Sequence, residues 1–481
     1  MTDPSPGTTH VELRAGAYAD SVALLQVSRT VQGLDGVEAA QVAMATELNV
    51  DVLTSMGFEV PPTATPNDMV VAIRLADPAA LDAALAGVEE ALKNASRRSE
   101  GGAELAPHRT TAAALREADP DAVVLVSVAG QHALVEAMDA LDAGHDVMIF
   151  SDNVPLEHEV ALKRAAADRG RLVMGPDCGT AVVDGVGLGF ANVVQPGPVG
   201  IVAASGTGCQ QLLALLDHAG VGVSSALGVG GRDLSAEVGG LSAREALRRL
   251  DTDPAVELAV LVSKPPAASV AAELEKYAAD LATPVELALL GADQPDLTES
   301  AERILTRLGV PVPEWPVVGT AGPATGKLLR GLFVGGTLAG ESTLVARAAL
   351  GTVGTELGDL TGPGHAIVDF GDDSLTAGRA HPMIDPTLRL DRLAQVAADP
   401  ATGVIVLDVV LGHGAEADPA TLLAPALAEI SVPVIVTVVG TSSDPQGLDR
   451  QVQVLAEAGA EVHLSNARAT RRALELLGSN A

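Results

Sequence analysis

Apolar positions change their period as the chain proceeds. Between residues 11 and 95, short runs at period two alternate with longer runs at the helical period. They are VELRAGAY, a helix carrying Val22, Leu24, Leu25 and Val27, GVEAAQVAM (36–44), a helix over 46–56, MVVAIRL (69–75) and a helix over 78–95. That alternation predicts a small α+β domain over residues 1–100. The polar stretch NASRRSEGGAELAPH (94–108) reads as a linker. From 110 to 195 the strands become continuous apolar runs: DAVVLVSV (121–128), DVMIFSDN and RLVMGPD, separated by helices over 131–143 and 157–169. Such runs predict buried parallel strands in a doubly wound, Rossmann-like, CoA-binding-type domain over 105–195. Its functional loops belong at the strand ends, at Ala129-Gly130, Ser151-Asp152-Asn153 and 175–180, which include Asp177 and Cys178.

The remainder repeats itself. In a first copy (196–312) strand 199–204 meets SGTG and a helix closing at Gly220. GVGGRDLSAEVGG, a helix, DPAVELAVLVSKPP and a strand after Pro284 follow. In a second copy (325–481) strand 332–334 meets GGT and a helix closing at Gly351. DFGDDSLTAGRAHPMIDP, a helix, DPATGVIVLDVVLGHG and a strand after Pro433 follow in the same order. We read these as two duplicated, flavodoxin-like lobes joined by the Pro- and Gly-rich stretch 309–326.

Each copy opens with an apolar strand, a turn of small residues and a helix. Such a turn leaves the first helical N–H groups free, and the helix dipole adds positive charge there, so an anion is stabilised. Ser205, Gly206, Thr207 and Gly208 form one candidate phosphate cradle, and Gly335, Gly336 and Thr337 the other. A tight capped βα connection accounts for either turn taken singly. Together they suggest two helix ends pinching one phosphate. Neither is a Walker A loop, because GxxxxGK[ST] is missing from both.

Bulk properties narrow the partners. The net charge of −32 argues against nucleic acid and anionic membranes. Aromatics at 2% offer no stacking platform. No apolar run approaches the roughly 18 residues of a membrane span, and MTDPSPGTTH does not read as a secretory signal. Two cysteines, Cys178 and Cys209, make no disulfide framework. We therefore expect a cytoplasmic protein.

The run from about 120 to 310 resembles the α subunit of succinyl-CoA synthetase, through FSDNVPLEHEVALKRAAADRGRLVMGPDCG, VGIVAASGTGCQQ and GVGGRD. The second lobe resembles the CoA-ligase portion of that enzyme's β subunit. TPNDMVVAIR, MGPDCGTA, SGTG, GVGGRDLSAEVGG, VSKPP, LRGLFVGGTL and GRAHPMIDPTLR resemble landmarks of the FdrA family, and they span nearly the full length. The synthetase resemblance implies paired helices presenting their N-termini to a phosphohistidine. The FdrA resemblance implies a carbamoyltransferase subunit of oxamate carbamoyltransferase type in allantoin and purine breakdown, interconverting oxalurate and phosphate with oxamate and carbamoyl phosphate.

Departures from the synthetase pattern shape the expectation. The stretch corresponding to the phosphohistidine loop, PVELALLGADQPDLTES (284–300), has no His, and the Gly-rich CoA loop is missing. No ATP-grasp domain fits between the lobes. The expected function is carbamoyl or acyl-phosphate transfer to a carboxylate amide, with phosphate or carbamoyl phosphate as ligand, no required cofactor and CoA doubtful. Partner subunits and a homo-oligomer are expected with it. The alternatives are an acyl-CoA synthetase component and a non-catalytic regulator.

The candidate catalytic residues are His381, Arg232 and Lys264. His381 is a carbonyl donor or phosphate contact, or else a histidine satisfied by its own loop. Arg232 is a carboxylate clamp, or half of a pair with Asp233 that holds the loop. Lys264 follows a buried strand and is a candidate anion ligand. Arg379, His413, Asp177 and Cys178 are substrate-binding candidates, with Cys178 disfavoured as a nucleophile. Asp369, Asp372 and Asp373 read as a solvated turn rather than a Mg²⁺ site, and no His spacing suggests a metal.

Overall fold

The N-terminal domain builds its sheet from β1 (Thr8–Arg14), β2 (Val37–Met44) and β3 (Met69–Leu75), with α1 (Ser21–Gln32), α2 (Glu47–Ser55) and α3 (Leu81–Ser99) between and after them. The sheet is antiparallel in the order β1-β3-β2. Central β3 is buried on both faces. Val71 and Ile73 meet Leu24, Val27 and Val88 of α1 and α3, while Val70 and Ala72 meet Leu53 and Phe58. The computed structural model describes residues 8–17, 19, 21–99, 108–376 and 381–478. Within it the chain divides into this unit and a second that begins at residue 108.

The second unit starts with one helical turn, α4 (Thr111–Ala114). Then β4 (Val123–Val126), α5 (Ala133–Asp142), β5 (Asp146–Ile149), α6 (Leu156–Arg169) and β6 (Val173–Met174) follow. This sheet is parallel, but it has only three strands, in chain order. Strands added in one direction by right-handed crossovers carry their helices on one face. The expected double winding, with its reversal point, is therefore not formed here. Nor is 121–128 a buried strand. β4 lies at the sheet edge, and Leu125 is 55% and Val128 41% exposed.

The first lobe comprises the hairpin β7 (Thr180–Val183)–β8 (Val186–Gly189), β9 (Val199–Ala204), α7 (Gly206–His218), β10 (Val223–Gly228), α8 (Leu241–Thr252), β11 (Leu258–Ser263), α9 (Ala268–Ala279), β12 (Val285–Leu289) and α10 (Leu297–Arg307). The second comprises β13 (Val317–Val318), β14 (Leu328–Phe333), α11 (Gly336–Leu350), β15 (Val353–Gly354), β16 (His365–Asp369), α12 (Asp373–Thr376), α13 (Thr387–Ala398), β17 (Thr402–Val410), α14 (Pro419–Glu429), β18 (Val434–Val439), α15 (Leu448–Glu457), β19 (Glu461–His463) and α16 (Asn466–Leu476).

Sheet order supports the duplication independently of motif order. The four parallel strands run β12-β11-β9-β10 in the first lobe and β18-β17-β14-β16 in the second. Position by position these orders correspond, and with β19 the second lobe has the flavodoxin-like arrangement. Thr180–Gly189 joins the first lobe's sheet, so that lobe begins before residue 196.

One core runs through both lobes. Ile201, Leu212 and Leu216 of the first are in the same cluster as Phe333, Leu338, Val406 and Ala469 of the second. Polar links reinforce it. Gln211 donates to the Leu464 carbonyl at 2.9 Å, and Asn192 donates to Asp444 at 2.7 Å. The three-stranded sheet is tied to the first lobe by a buried ion cluster. Lys163 Nζ reaches Glu159, Asp233 and the Val229 carbonyl, each at 2.8 Å. Every charge there has a partner, as a buried ion requires.

Candidate functional site at the paired helix ends

In both lobes the switch point of the sheet lies beside the first strand, β9 or β14. Each of these strands feeds directly into a helix, so the N-termini of α7 and α11 open where an α/β sheet places its ligands. The structure brings these two helix ends together. Ser205 caps α7 by accepting the Gly208 N–H at 3.0 Å, and its Oγ lies 2.6 Å from Thr337 Oγ1. The reciprocal contact joins Gly335, the cap position of α11, to Thr207. A Cβ on Gly335 would stand 3.0 Å from Thr207 Cβ, and Thr207 Oγ1 accepts the Thr337 N–H at 3.3 Å. Equivalent residues of the two copies thus touch around a local twofold.

This contact alters the expected cradle. The Ser205 and Thr337 hydroxyls share one proton between them, so only one O–H of the pair is left to donate to a phosphate lying on the axis between the helices. Among the described residues the N–H groups of Gly206, Thr207 and Gly336 have no hydrogen-bond partner, and Gly206 is exposed. These donors flank the contact rather than line it. Lys264, directly after β11, brings its Nζ to the same place, 2.9 Å from where a Cβ on Gly336 would stand.

Two carboxylates that sequence reasoning set aside or missed complete the second helix end. Asp408, at the buried end of β17, accepts the Val334 N–H at 2.7 Å and the Gly335 N–H at 2.8 Å. Arg389 donates to its carbonyl at 2.7 Å and to Oδ1 at 3.1 Å. Burial raises the Asp408 carboxyl to about 6 against the pull of Arg389. A lone acid within the apolar run GVIVLDVVLG was the available signal, because an acid in a buried strand needs dedicated partners. Asp369 ends β16 and is no solvated turn. Its Oδ1 accepts the Gly371 N–H at 2.9 Å, its other oxygen faces Gly336, and burial raises its carboxyl to about 6 while Lys264 opposes the shift.

His381 reaches this corner. Its Nε2 lies 2.7 Å from the Cβ position of Gly371, and its ring is near that of Phe190, with centroids 5.9 Å apart. Burial lowers its pKa to about 4, with Asp152 opposing, so the imidazole is neutral at pH 7. The Met383 N–H points at Nδ1 from 3.2 Å, which places the ring proton on Nε2. His381 is a neutral N–H donor, not a cationic one.

The other candidates lie elsewhere. Arg232 is bound to Glu159 at 2.9 Å and to the Val154 carbonyl at 2.8 Å. It extends the Lys163 cluster rather than pairing with Asp233. His413 is exposed, its backbone N–H donating to Ala191 and its ring beside Gly187 of the hairpin. Cys178 is buried, with its thiol pushed up to about 12 by burial and then by Asp177, so it makes no nucleophile. Asp177 takes a positive φ of 55° in that turn. Arg379 lies outside the described residues. The turn after β4 carries a single glycine, Gly130, and a Cβ there would meet the Asn153 backbone at 2.6 Å, so it is no open pyrophosphate loop.

A family model described as "AllF, heavy metal-associated domain" matches residues 6–109, and one described as "CoA-ligase" matches residues 332–476. The Escherichia coli protein YahF, itself uncharacterized, is 35% identical over 490 residues, covering 93% of this chain and 95% of YahF. Succinate–CoA ligase subunit alpha 2 of Archaeoglobus fulgidus is 31% identical over 31% of this chain and 52% of its own length. The corresponding α subunit of Methanothermobacter thermautotrophicus is 30% identical over 24% and 40%. The chain therefore spans about half, or less, of those ligase subunits. A dinucleotide-forming acetyl-coenzyme A synthetase of Ca. Korarchaeum cryptofilum, solved with phosphate and ADP, covers 75% of this chain at 16% identity and a TM-score of 0.28. The N-terminal unit does not fit a thiolate-bound metal, since both cysteines lie beyond it. Among the described residues no cluster of three His, Cys, Asp or Glu side chains is placed to hold an ion.

Proposed function

The chain belongs to the YahF family of FdrA-type, succinyl-CoA ligase-like proteins, and from that premise we propose that it is the acyl-phosphate-handling component of an acyl-CoA ligase-like transferase. The observation that carries this reading is the reciprocal meeting of the α7 and α11 N-termini, with unpaired N–H groups and Lys264 beside it. In the reaction an acceptor attacks the acyl carbon, the bond from that carbon to the phosphate oxygen breaks, and phosphate departs. Helix-end N–H groups and an ammonium stabilise the charge that develops on the leaving oxygen. In this reading His381, a neutral Nε2–H donor near Gly371, orients the substrate's acyl oxygen.

No enzyme-bound phosphohistidine is needed in this reading. The stretch 284–300 folds as β12 and the start of α10 without a His. His381 keeps its proton on Nε2, and its Nδ1 is occupied by the Met383 N–H. The acyl phosphate then arrives preformed. That same observation favours a second reading, in which carbamoyl phosphate is the donor and a carboxylate amide such as oxamate replaces the CoA thiol.

Thermal unfolding with inorganic phosphate, acetyl phosphate, carbamoyl phosphate, CoA and ATP added separately tests both. A ligand at 100 times its Kd stabilises by about 2.7 kcal/mol, a shift of several degrees. Stabilisation by phosphate and by acyl phosphates is expected. CoA stabilisation as well selects the ligase-like acceptor, and carbamoyl phosphate without CoA selects the amide. No shift with any phosphate compound contradicts the proposal.

A further inference from the structure

We infer that Asp369 is the proton-accepting residue of acyl transfer, and that Lys264 faces it across the first turn of α11 as the cation for the departing phosphate. This rests on the acyl-phosphate reading above.

The geometry separates Asp369 from a structural carboxylate. Asp408, its neighbour, spends both oxygens on backbone N–H groups and is held by Arg389. Asp369 spends only Oδ1, on Gly371. Among the described residues Oδ2 receives no hydrogen bond, and it is aimed at Gly336, where a Cβ would collide with it. Lys264 comes to the same glycine from the other lobe, its Nζ 2.9 Å from that Cβ position, yet among the described residues no ion pair joins it to Asp369. An ammonium and a carboxylate thus stand on two sides of one helix end with a gap between them. For phosphate binding alone the carboxylate is misplaced, because an ionised oxygen beside a helix N-terminus repels a second anion. A group that removes a proton as phosphate forms belongs there.

The step balances without any further reactant. The acceptor's S–H or N–H proton passes to Asp369 Oδ2 as its sulfur or nitrogen bonds to the acyl carbon. The electron pair of the breaking C–O bond stays on the phosphate oxygen beside Lys264. The protonated carboxyl then gives its proton to that phosphate or to water. The charged and titratable groups facing Asp369 are Lys264, Asp408 and Asp372, with His381 Nε2 near Gly371. Burial, the largest influence, keeps the carboxyl protonatable close to neutrality, where a general base is most effective.

The test uses the full chain, with Asp369→Asn and Lys264→Met, and two readouts. One is calorimetric binding of inorganic phosphate. The other is phosphate release from acetyl phosphate and carbamoyl phosphate, with CoA or oxamate as acceptor, between about pH 5 and 8. Asp369→Asn, an isosteric change, should bind phosphate as well as the parent or better. Its release should fall by roughly 10²-fold or more, and the acid limb of the pH profile should vanish. Lys264→Met should weaken phosphate about tenfold. Release by Asp369→Asn within about threefold of the parent overturns the inference, as does loss of phosphate binding in step with release, which marks a structural role. A parent protein that neither binds phosphate nor releases it overturns the acyl-phosphate reading itself, and this inference with it.

Discussion

At the scale of single residues, chemistry here is decided by what each polar atom is already bonded to. The Ser205 hydroxyl looked like a phosphate donor from its place in SGTG, but its bonds go to Gly208 and Thr337. Ser205→Ala should therefore cost about 1–2 kcal/mol of stability, as a lost N-cap and an orphaned Thr337 hydroxyl, measurable by urea unfolding. Arg232 spends its guanidinium on Glu159 and the Val154 carbonyl, and Cys178 is a buried thiol, whereas Asp369, expected in a solvated turn, sits in the site. Sequence shows that a strand ends at Asp369; only the pairing of Phe333 with Asp369 across the β14–β16 ladder puts it beside the α11 turn. For His381 the expected behaviour is specific. Its folded pKa lies below its unfolded value, so it contributes stability above about pH 6.5 that is lost as pH falls toward 4. NMR should find its ring neutral, protonated on Nε2, from pH 8 down to about 5. Titration near 6.5 would contradict the buried environment described.

At the scale of elements, the two βα units explain why one copy uses serine and the other glycine at the helix cap. A Cβ at Gly335 would meet Asp408 Oδ2, Leu338 Cδ1 and Thr207 Cβ, each at 3.0 Å. The duplicated turn closes only because one side is bare. Gly335→Ser should push the helix ends apart, lowering stability by about 1–3 kcal/mol and phosphate affinity with it. α11 carries a second consequence in Glu341, whose carboxylate accepts the Leu297 N–H and an Asn466 Nδ2–H. Burial, then Asp296, raises its pKa to about 7. A raised carboxyl contributes stability that is complete below its unfolded pKa and disappears as pH rises through about 7. The melting temperature should thus fall as pH rises from about 4.5 to about 7 and level off above that. Glu341→Gln should flatten that slope while lowering the melting temperature at acid pH, because both partners are donors and an amide cannot accept from both. A slope unchanged by that substitution would assign the pH dependence to other groups. The strand–turn–helix units were legible from period and turn chemistry. The exposure of β4 was not, because an edge strand and a central one share the same apolar run.

At the scale of the whole molecule, the duplication was legible because motif order survives in both copies, and the sheet orders agree with it. Which helix ends would meet followed from that symmetry. That they would touch hydroxyl to hydroxyl did not, because contact across a twofold depends on side-chain reach rather than on sequence spacing. A net charge of −32 opposes the approach of any anion, so the phosphate compound proposed as ligand must be attracted locally. Local positive potential at α7, α11 and Lys264 supplies that attraction against the overall charge.

The most direct measurement is calorimetric titration of inorganic phosphate into the parent chain and into Thr207→Asp. An aspartate in the first turn of α7 suits the helix dipole and can still accept the Thr337 N–H, so the fold should hold. It also brings a carboxylate to the anion site. The account predicts phosphate binding by the parent and a loss of at least about tenfold in the variant, at equal or higher melting temperature. Equal phosphate binding by both proteins would place the anion away from the paired helix ends and contradict the account.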